Sequence, residues 1–166
     1  PGTVIVQHMP PHFTRAFADR LDGLVPMRVC EAEDGQLIRD GHAYVAPGGR
    51  HLVVRRAAEG FVTHVKDGPP VHHQRPAVDV LFDAVADLAG GTTVAALLTG
   101  MGADGARGLR QLREAGAWTI AQDEESCVVY GMPREAVELD AACEVLPLDR
   151  IADAIIHHLA PAGARR

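Results

Sequence analysis

Two stretches of this sequence hold residues whose types and spacing suit chemistry. The first is Thr99-Gly100-Met101-Gly102-Ala103-Asp104-Gly105, which follows an apolar run at 94–98 and precedes a helical pattern. Its glycines let the backbone turn sharply and approach another group closely. Written as G-x-G-x-x-G, with Asp123 about 20 residues further on near the end of the next strand, it fits a dinucleotide-binding fingerprint with its acidic ribose contact. The carboxylate of Asp104 argues the other way. It would sit inside the turn that must receive a pyrophosphate, against the helix-terminus field that attracts phosphate. An aspartate at the mouth of a parallel strand, beside exposed backbone N–H groups, suits another task. It orients a histidine while neighbouring amides hold a developing oxyanion.

The second stretch supplies such a histidine. His8 follows the β-branched run at 3–7, at the carboxyl end of a strand, where the loops of an open α/β sheet line the ligand crevice. His8 and Asp104 can therefore meet despite their distance in sequence. Plainer readings stand beside this one. A histidine after a strand is commonly a structural loop residue, and an aspartate in a glycine loop is commonly a turn former or helix cap. The other histidines offer less. His72-His73 and His157-His158 are adjacent pairs, without the spacing that converges on a metal. His157 and His158 read as surface residues of the last helix, and His12, His42, His51 and His64 are scattered. No metal or cofactor is expected. Cys30, Cys127 and Cys143 are odd in number and lack C-x-x-C spacing, so they read as small core residues in a reducing compartment.

The elements that must hold these residues follow from pattern. Residues 3–7 read as a buried strand, ended by Pro10-Pro11. Phe13, Phe17, Leu21 and Leu24 recur at helical spacing. Residues 28–30, 41–46, 51–55 and 61–65 are short strand-like runs broken by Gly, Asp and Pro, and together they predict a small antiparallel element. Val78, Leu81, Phe82, Val85 and Leu88 mark a second amphipathic helix. Beyond it the pattern alternates: strand 94–98, glycine loop, helix 106–115 stopped by Gly116, strand 118–121, a helix from Pro133 or Arg134 to about Leu139, and strand 144–146. A last helix follows, capped by Asp149 and burying Ile151, Ile155 and Leu159. Alternating strands and helices predict parallel strands with crossover helices. The expected fold is a three-layer α/β sandwich with a doubly wound, mostly parallel sheet and a small antiparallel element.

With 166 residues, 47% of them hydrophobic, the chain can bury one real core, so residues 1–160 are read as a single domain and 161–166 as a disordered tail. The formal net charge of −6 leaves no basic footprint for nucleic acid. No stretch approaches the roughly 18 apolar residues of a membrane span. No signal peptide is visible.

Taken together, the blocks identify a resemblance. They are Val6-Gln7-His8-Met9-Pro10, Glu31-Ala32-Glu33-Asp34-Gly35, Tyr44-Val45-Ala46-Pro47-Gly48, Asp67-Gly68-Pro69-Pro70, Leu98-Thr99-Gly100-Met101-Gly102 with Asp104-Gly105, and Ser126-Cys127-Val128-Val129-Tyr130-Gly131-Met132-Pro133. In this order they resemble the catalytic domain of the CheB-type chemotaxis protein-glutamate methylesterases along nearly the whole chain. The resemblance implies a cytoplasmic Ser–His–Asp hydrolase, monomeric, acting on glutamate methyl esters of chemoreceptor cytoplasmic helices, with glutamine deamidation as a further activity of some members. It implies His8 as general base, Asp104 as the residue that orients it, and the Met101 backbone N–H as an oxyanion-hole donor. It also implies a regulatory receiver domain upstream. The family's nucleophilic serine lies in a Ser-x-Gly-Gly turn, after the strand that precedes residues 3–7. The one serine here, Ser126, falls in a different block, so the nucleophile is expected upstream of Pro1. Two alternatives remain at this point: a dinucleotide-binding module using residues 100–105 and Asp123, and a non-catalytic receptor-binding relic of the same family.

Overall fold

The computed structural model describes residues 1–160; the tail expected at 161–166 lies outside the described residues. The chain divides into two compact units, one from Pro1 to Ala84 and one from Val85 onward.

The first unit opens with β1 (Thr3–Ile5), α1 (Phe13–Asp22), β2 (Arg28–Glu31) and β3 (His42–Val45). The three strands form a parallel sheet in the order β1-β3-β2, with Val4 and Cys30 both opposite Tyr44. The central strand β3 is covered on both faces, as parallel strands require. Ala43 and Val45 pack with Val29 and with Ala18, Phe17 and Leu21 of α1. Tyr44 and Ala46 point the other way, to Leu52 and Val65. Those two belong to β4 (His51–Ala57) and β5 (Gly60–Lys66), an antiparallel hairpin with Ala57 opposite Gly60.

Two expectations change here. The antiparallel element has two strands, not four, because residues 28–31 and 42–45 run parallel to β1. The connection between β2 and β3 explains this. It runs back beside β5, where Gly35 donates to Thr63 O, Ile38 donates to Phe61 O and Leu37 bridges Val62. That excursion returns the chain to the starting edge, so β3 sets out in the same direction as β2. The buried stripe of α1 is also shifted. Thr14 and Ala18 are buried, whereas Phe13 and Leu24 are exposed.

Helix α2 (Val78–Ala89) and a 3₁₀ turn (Gly90–Thr92) lead into the second unit: β6 (Val94–Leu97), α3 (Ala106–Glu114), β7 (Trp118–Gln122), α4 (Met132–Glu138), β8 (Glu144–Leu146) and α5 (Leu148–Leu159). Its sheet is parallel, in the order β6-β7-β8. Residues 119–122 of β7 are all buried, so both faces of that strand are covered. Gly116 ends α3 as expected. With φ at 92°, its N–H bonds to Arg113 O while the Ala117 N–H reaches Leu112 O, the 5→2 and 6→1 pair of a Schellman motif.

Helix α5 departs from expectation in three places. Pro147 is its N-cap, and Asp149 sits in the first turn, where its charge faces the helix dipole without capping. Leu159 is exposed. His158 is not a surface residue. Its ring stacks on Trp118 with centroids 3.9 Å apart, and its Nε2 lies 3.3 Å from Glu144. Helices and mostly parallel strands, with a small antiparallel sheet, make this the α/β fold that the sequence predicts.

Candidate active site

His8 lies half-buried in the loop just past β1. Stiff backbone fixes this loop. Pro10 and Pro11 hold φ near −65°, and the Pro10 carbonyl accepts from the Phe13 N–H at the start of α1. The prolines rest on Gly48, in the loop after β3. A β-carbon there would stand 2.5 Å from the Pro10 carbonyl carbon and oxygen and from the Pro11 nitrogen. Thr14, in the first turn of α1, closes the arrangement. Its buried hydroxyl donates to Glu31 Oε1 at 2.5 Å and accepts from the Gly48 N–H at 3.0 Å.

In the second unit the glycine loop leaves β6 at its carboxyl end. Asp104 is 1% exposed and Met101, three residues earlier, is 80% exposed. Every buried side-chain nitrogen or oxygen among the described residues has a hydrogen-bond partner, so the buried Asp104 carboxylate is a satisfied one. It does not occupy the N-cap position of α3. Gly105 occupies the N-cap of α3 with φ 88° and offers no side chain. Gly102 also has positive φ, at 90°. The two glycines turn the chain twice within four residues, burying Asp104 and exposing Met101.

The rest of the loop is pinned from the segment after β7. The Gly100 N–H donates to Val129 O at 3.1 Å, and Gly100 O accepts from the N–H groups of Gly131 (3.1 Å) and Met132 (2.8 Å). The Thr99 hydroxyl donates to Val129 O and accepts from the Val129 N–H. Among the described residues the Met101 N–H takes part in no hydrogen bond.

This geometry bears on the dinucleotide alternative. Gly100 is accounted for by packing alone, since an added β-carbon there would meet the Met132 sulfur. Asp123 is engaged as a turn former, its Oδ1 accepting from the Ser126 N–H at 3.0 Å and from the Ser126 hydroxyl at 2.6 Å. The same bonds remove Ser126 as a nucleophile. Its oxygen also accepts from Gln122 Nε2 and the Leu148 N–H, and a carboxylate rather than an imidazole faces it. Two of the thiols are held away from reactivity as well. Burial, with Asp123 and Glu124 nearby, pushes the Cys127 thiol up, against a smaller lowering from Thr99. Burial first, then Glu33 and Asp22, does the same to Cys30. A reactive thiol needs the opposite shift.

Several polar groups carried no sequence signal. Adjacent histidines hid a pair: His72 Nε2 lies 3.1 Å from Asp79 Oδ2, whose side chain is wholly buried. His51 is a core residue. It donates from Nε2 to Pro69 O, and its Nδ1 accepts from the Ala77 N–H, a tautomer set by those partners. Gln122, fully buried at the end of β7, accepts from the Thr99 N–H. Such roles depend on loops folding back, which periodicity does not report.

Comparisons with known proteins show the family. The family described as CheB methylesterase matches residues 1–155. The protein-glutamate methylesterase/protein-glutamine glutaminase 2 of Pseudomonas aeruginosa is 56% identical over 164 residues, covering 99% of this chain and 47% of that protein. Its Escherichia coli K12 counterpart is 49% identical over 166 residues, covering 100% and 48%. The chain thus spans about half the length of the curated relatives it matches. The crystal structure of the Thermotoga maritima CheB methylesterase catalytic domain matches with a TM-score of 0.90 at 39% identity, over 93% of this chain and 82% of that one. On the family match and this likeness, the chain belongs to the CheB methylesterase family.

Proposed function

We propose that this chain supplies the base, the orienting acid and an oxyanion donor of a Ser–His–Asp site. That site hydrolyses glutamate γ-methyl esters on the cytoplasmic helices of chemoreceptors. The serine is assigned to a Ser-x-Gly-Gly turn on the segment before Pro1. His8 takes the serine proton as the oxygen attacks the ester carbonyl, and Asp104 holds the imidazole in the accepting tautomer and stabilises the imidazolium. The charge on the carbonyl oxygen falls to the Met101 N–H. Collapse of the adduct breaks the bond to the methoxy group, which leaves as methanol with the proton from His8. Water, deprotonated by His8, then attacks the acyl-serine; the serine oxygen leaves with that proton from His8, and the receptor glutamate is released. The same cycle on a glutamine side chain releases ammonia. The protein is read as cytoplasmic and monomeric, with a receiver domain on its amino-terminal side.

The observation that carries this reading is the pairing, in one loop, of a buried carboxylate at Asp104 with an exposed Met101 whose N–H bonds to none of the described residues. The test is methanol release from methylated receptor by the protein extended upstream to include the serine turn. His8→Ala should lower turnover by a factor on the order of 10⁴ or more. Asp104→Asn should cost about as much, because an amide favours the wrong tautomer; the handicap of roughly 10⁴ is that of the serine proteases. Parental turnover in folded His8→Ala protein would refute the assignment.

A further inference from the structure

The glycine loop presents its donor because of what holds it from behind. Gly100 C=O and Met101 N–H belong to one planar trans peptide, so they point in opposite directions. The N–H groups of Gly131 and Met132 both bond to that carbonyl, which sets the plane and so aims the Met101 N–H. Two donors on the carbonyl also polarise the peptide and make its N–H a better donor. One peptide earlier, Gly100 N–H is held on Val129 O. Earlier still, the Thr99 N–H is held by a side chain, at 2.8 Å from Gln122 Oε1.

Gln122 is wholly buried and spends its amide on this one junction. Its Nε2 donates to Ser126 O at 2.8 Å and to the Ser126 hydroxyl at 3.1 Å. The amide has one orientation, since an N–H faces one end and a carbonyl the other. Ser126 is fixed in turn by Asp123 and by the Leu148 N–H. Residues 122–132 therefore form a template, with Gln122 the side chain that joins its near end to the loop. An apolar residue of similar length would fill the same volume. The amide adds a fixed position for the first peptide beyond β6.

We propose that Gln122 is a positioning residue for the oxyanion donor: by holding the Thr99 N–H against the Ser126 turn, it sets the peptide that carries the Met101 N–H. This rests on the function proposed above, which makes that N–H a donor to the reacting carbonyl. A donor displaced from the developing charge loses stabilisation that the ground state never had. The loss therefore falls on kcat and spares KM.

The experiment uses the protein extended upstream to its serine, with methylated receptor as substrate. Gln122→Met keeps the length and removes all three bonds. It should lower kcat about 10- to 100-fold, with KM within about two-fold, below the full loss of an oxyanion donor. Gln122→Asn keeps an amide but falls one methylene short of Thr99, and should lose turnover in the same way. Gln122→Glu keeps an oxygen opposite the Thr99 N–H but sets a second acceptor against Ser126 O, and should lose turnover too. A boronic acid that adds to the serine and lodges a charged oxygen at the donor gives a second readout. Its affinity should fall in step with kcat across the three variants, which a merely structural role would not produce. Thermal unfolding identifies the folded variants, and Gln122→Asn decides the matter should Gln122→Met fail to fold. Parental kcat in folded Gln122→Asn or Gln122→Met protein overturns the inference, and so does a fall in kcat with unchanged boronate affinity. Should the parent release no methanol, the proposed function fails and this inference falls with it. Should the parent be active and His8→Ala dead, with the Gln122 variants like the parent, this inference alone fails.

Discussion

The His8 loop and the glycine loop, to which the proposed base and the proposed donor are assigned, are built by different means. The His8 loop is fixed by contact. Pro10 and Pro11 lie directly against Gly48, and one buried hydroxyl, Thr14, ties the start of α1 to β2 and to that glycine. The glycine loop is fixed by hydrogen bonds, with both peptide groups of Gly100 and the N–H of Thr99 engaged. The difference follows from what is presented. A side chain is placed once its Cα and first torsions are placed, and prolines packed on a bare backbone do that well. A backbone N–H has no torsion of its own. It is aimed only by orienting its peptide plane, which takes bonds to that peptide and its neighbours.

Added methyl groups should separate the two designs, and this is the largest effect expected on stability. Gly48→Ala forces a β-carbon against the backbone of Pro10 and Pro11, which have no flexible end to yield. It should cost about 3 kcal/mol, the upper end for overpacking. Gly131→Ala meets backbone too, 2.6 Å from Gly100 O and 3.0 Å from Gly102 N, and should cost nearly as much. Gly100→Ala meets the Met132 side chain instead, which can swing away, so its cost should be about 1 kcal/mol. Chemical denaturation of the three variants checks the order. A Gly100→Ala protein less stable than Gly48→Ala would mean that the His8 loop is softer than its contacts imply.

A smaller effect should come from the hydroxyl that closes the first loop. Thr14→Val keeps the shape of the side chain and leaves the Gly48 N–H without its acceptor and Glu31 Oε1 without its donor. A loss of about 1–3 kcal/mol is expected, as for a buried polar group left unpaired, and Thr14→Ser should recover most of it. Amide exchange localises the effect. Protection should fall around residues 8–14 and 46–49 and stay unchanged around residues 99–105. Protection that stays unchanged around residues 8–14 would show that the Thr14 hydroxyl does not secure this loop.

Much of this was legible in the sequence, and the reasons differ by element. The second unit could be read almost strand by strand, because β6 and β7 are each an apolar run followed by a glycine-marked turn and a helix, and β8 passes through Pro147 into α5. The direction of β2 and β3 could not be read. A short strand looks alike in either sense, and the return beside β5 that makes them parallel leaves no periodic mark. For the site, Asp104 stood out because a carboxylate in a glycine loop conflicts with phosphate binding, and His8 because it follows a strand. Gln122 stood out in no way, since one amide at the end of a strand has no pattern. The bonds it makes appear only when residues 122–132 fold back over the loop. The block around Ser126 carried the family resemblance, but its task of holding the glycine loop is a matter of three-dimensional contact.

The smallest effect expected comes from one carboxylate in each unit that is held below its ordinary range. Asp34 is lowered first by the Val65 N–H, 2.9 Å from its Oδ1, and next by the His64 ring on the same oxygen at 2.7 Å. Asp140 is lowered by the hydrogen bond and charge of Arg113, at 2.7 Å. In both cases the folded value lies below the unfolded one. The stabilisation is therefore complete above the unfolded carboxylate range, about pH 4, and is lost as pH falls through the lower folded value. Salt should tell the two apart. The attraction between Arg113 and Asp140 is between exposed charges and is screened, whereas the leading cause at Asp34 is a bond to a neutral peptide. Carboxyl-carbon NMR titration at low and high salt should show Asp140 moving up towards its ordinary value while Asp34 stays low. Asp34→Asn keeps an oxygen for the Val65 N–H, so it should retain the position of β5 and lose the acid dependence. An Asp34 that relaxes in salt as far as Asp140 does would show that its peptide bond is not the main cause of its shift, and that charge, not backbone, secures this edge of the first unit.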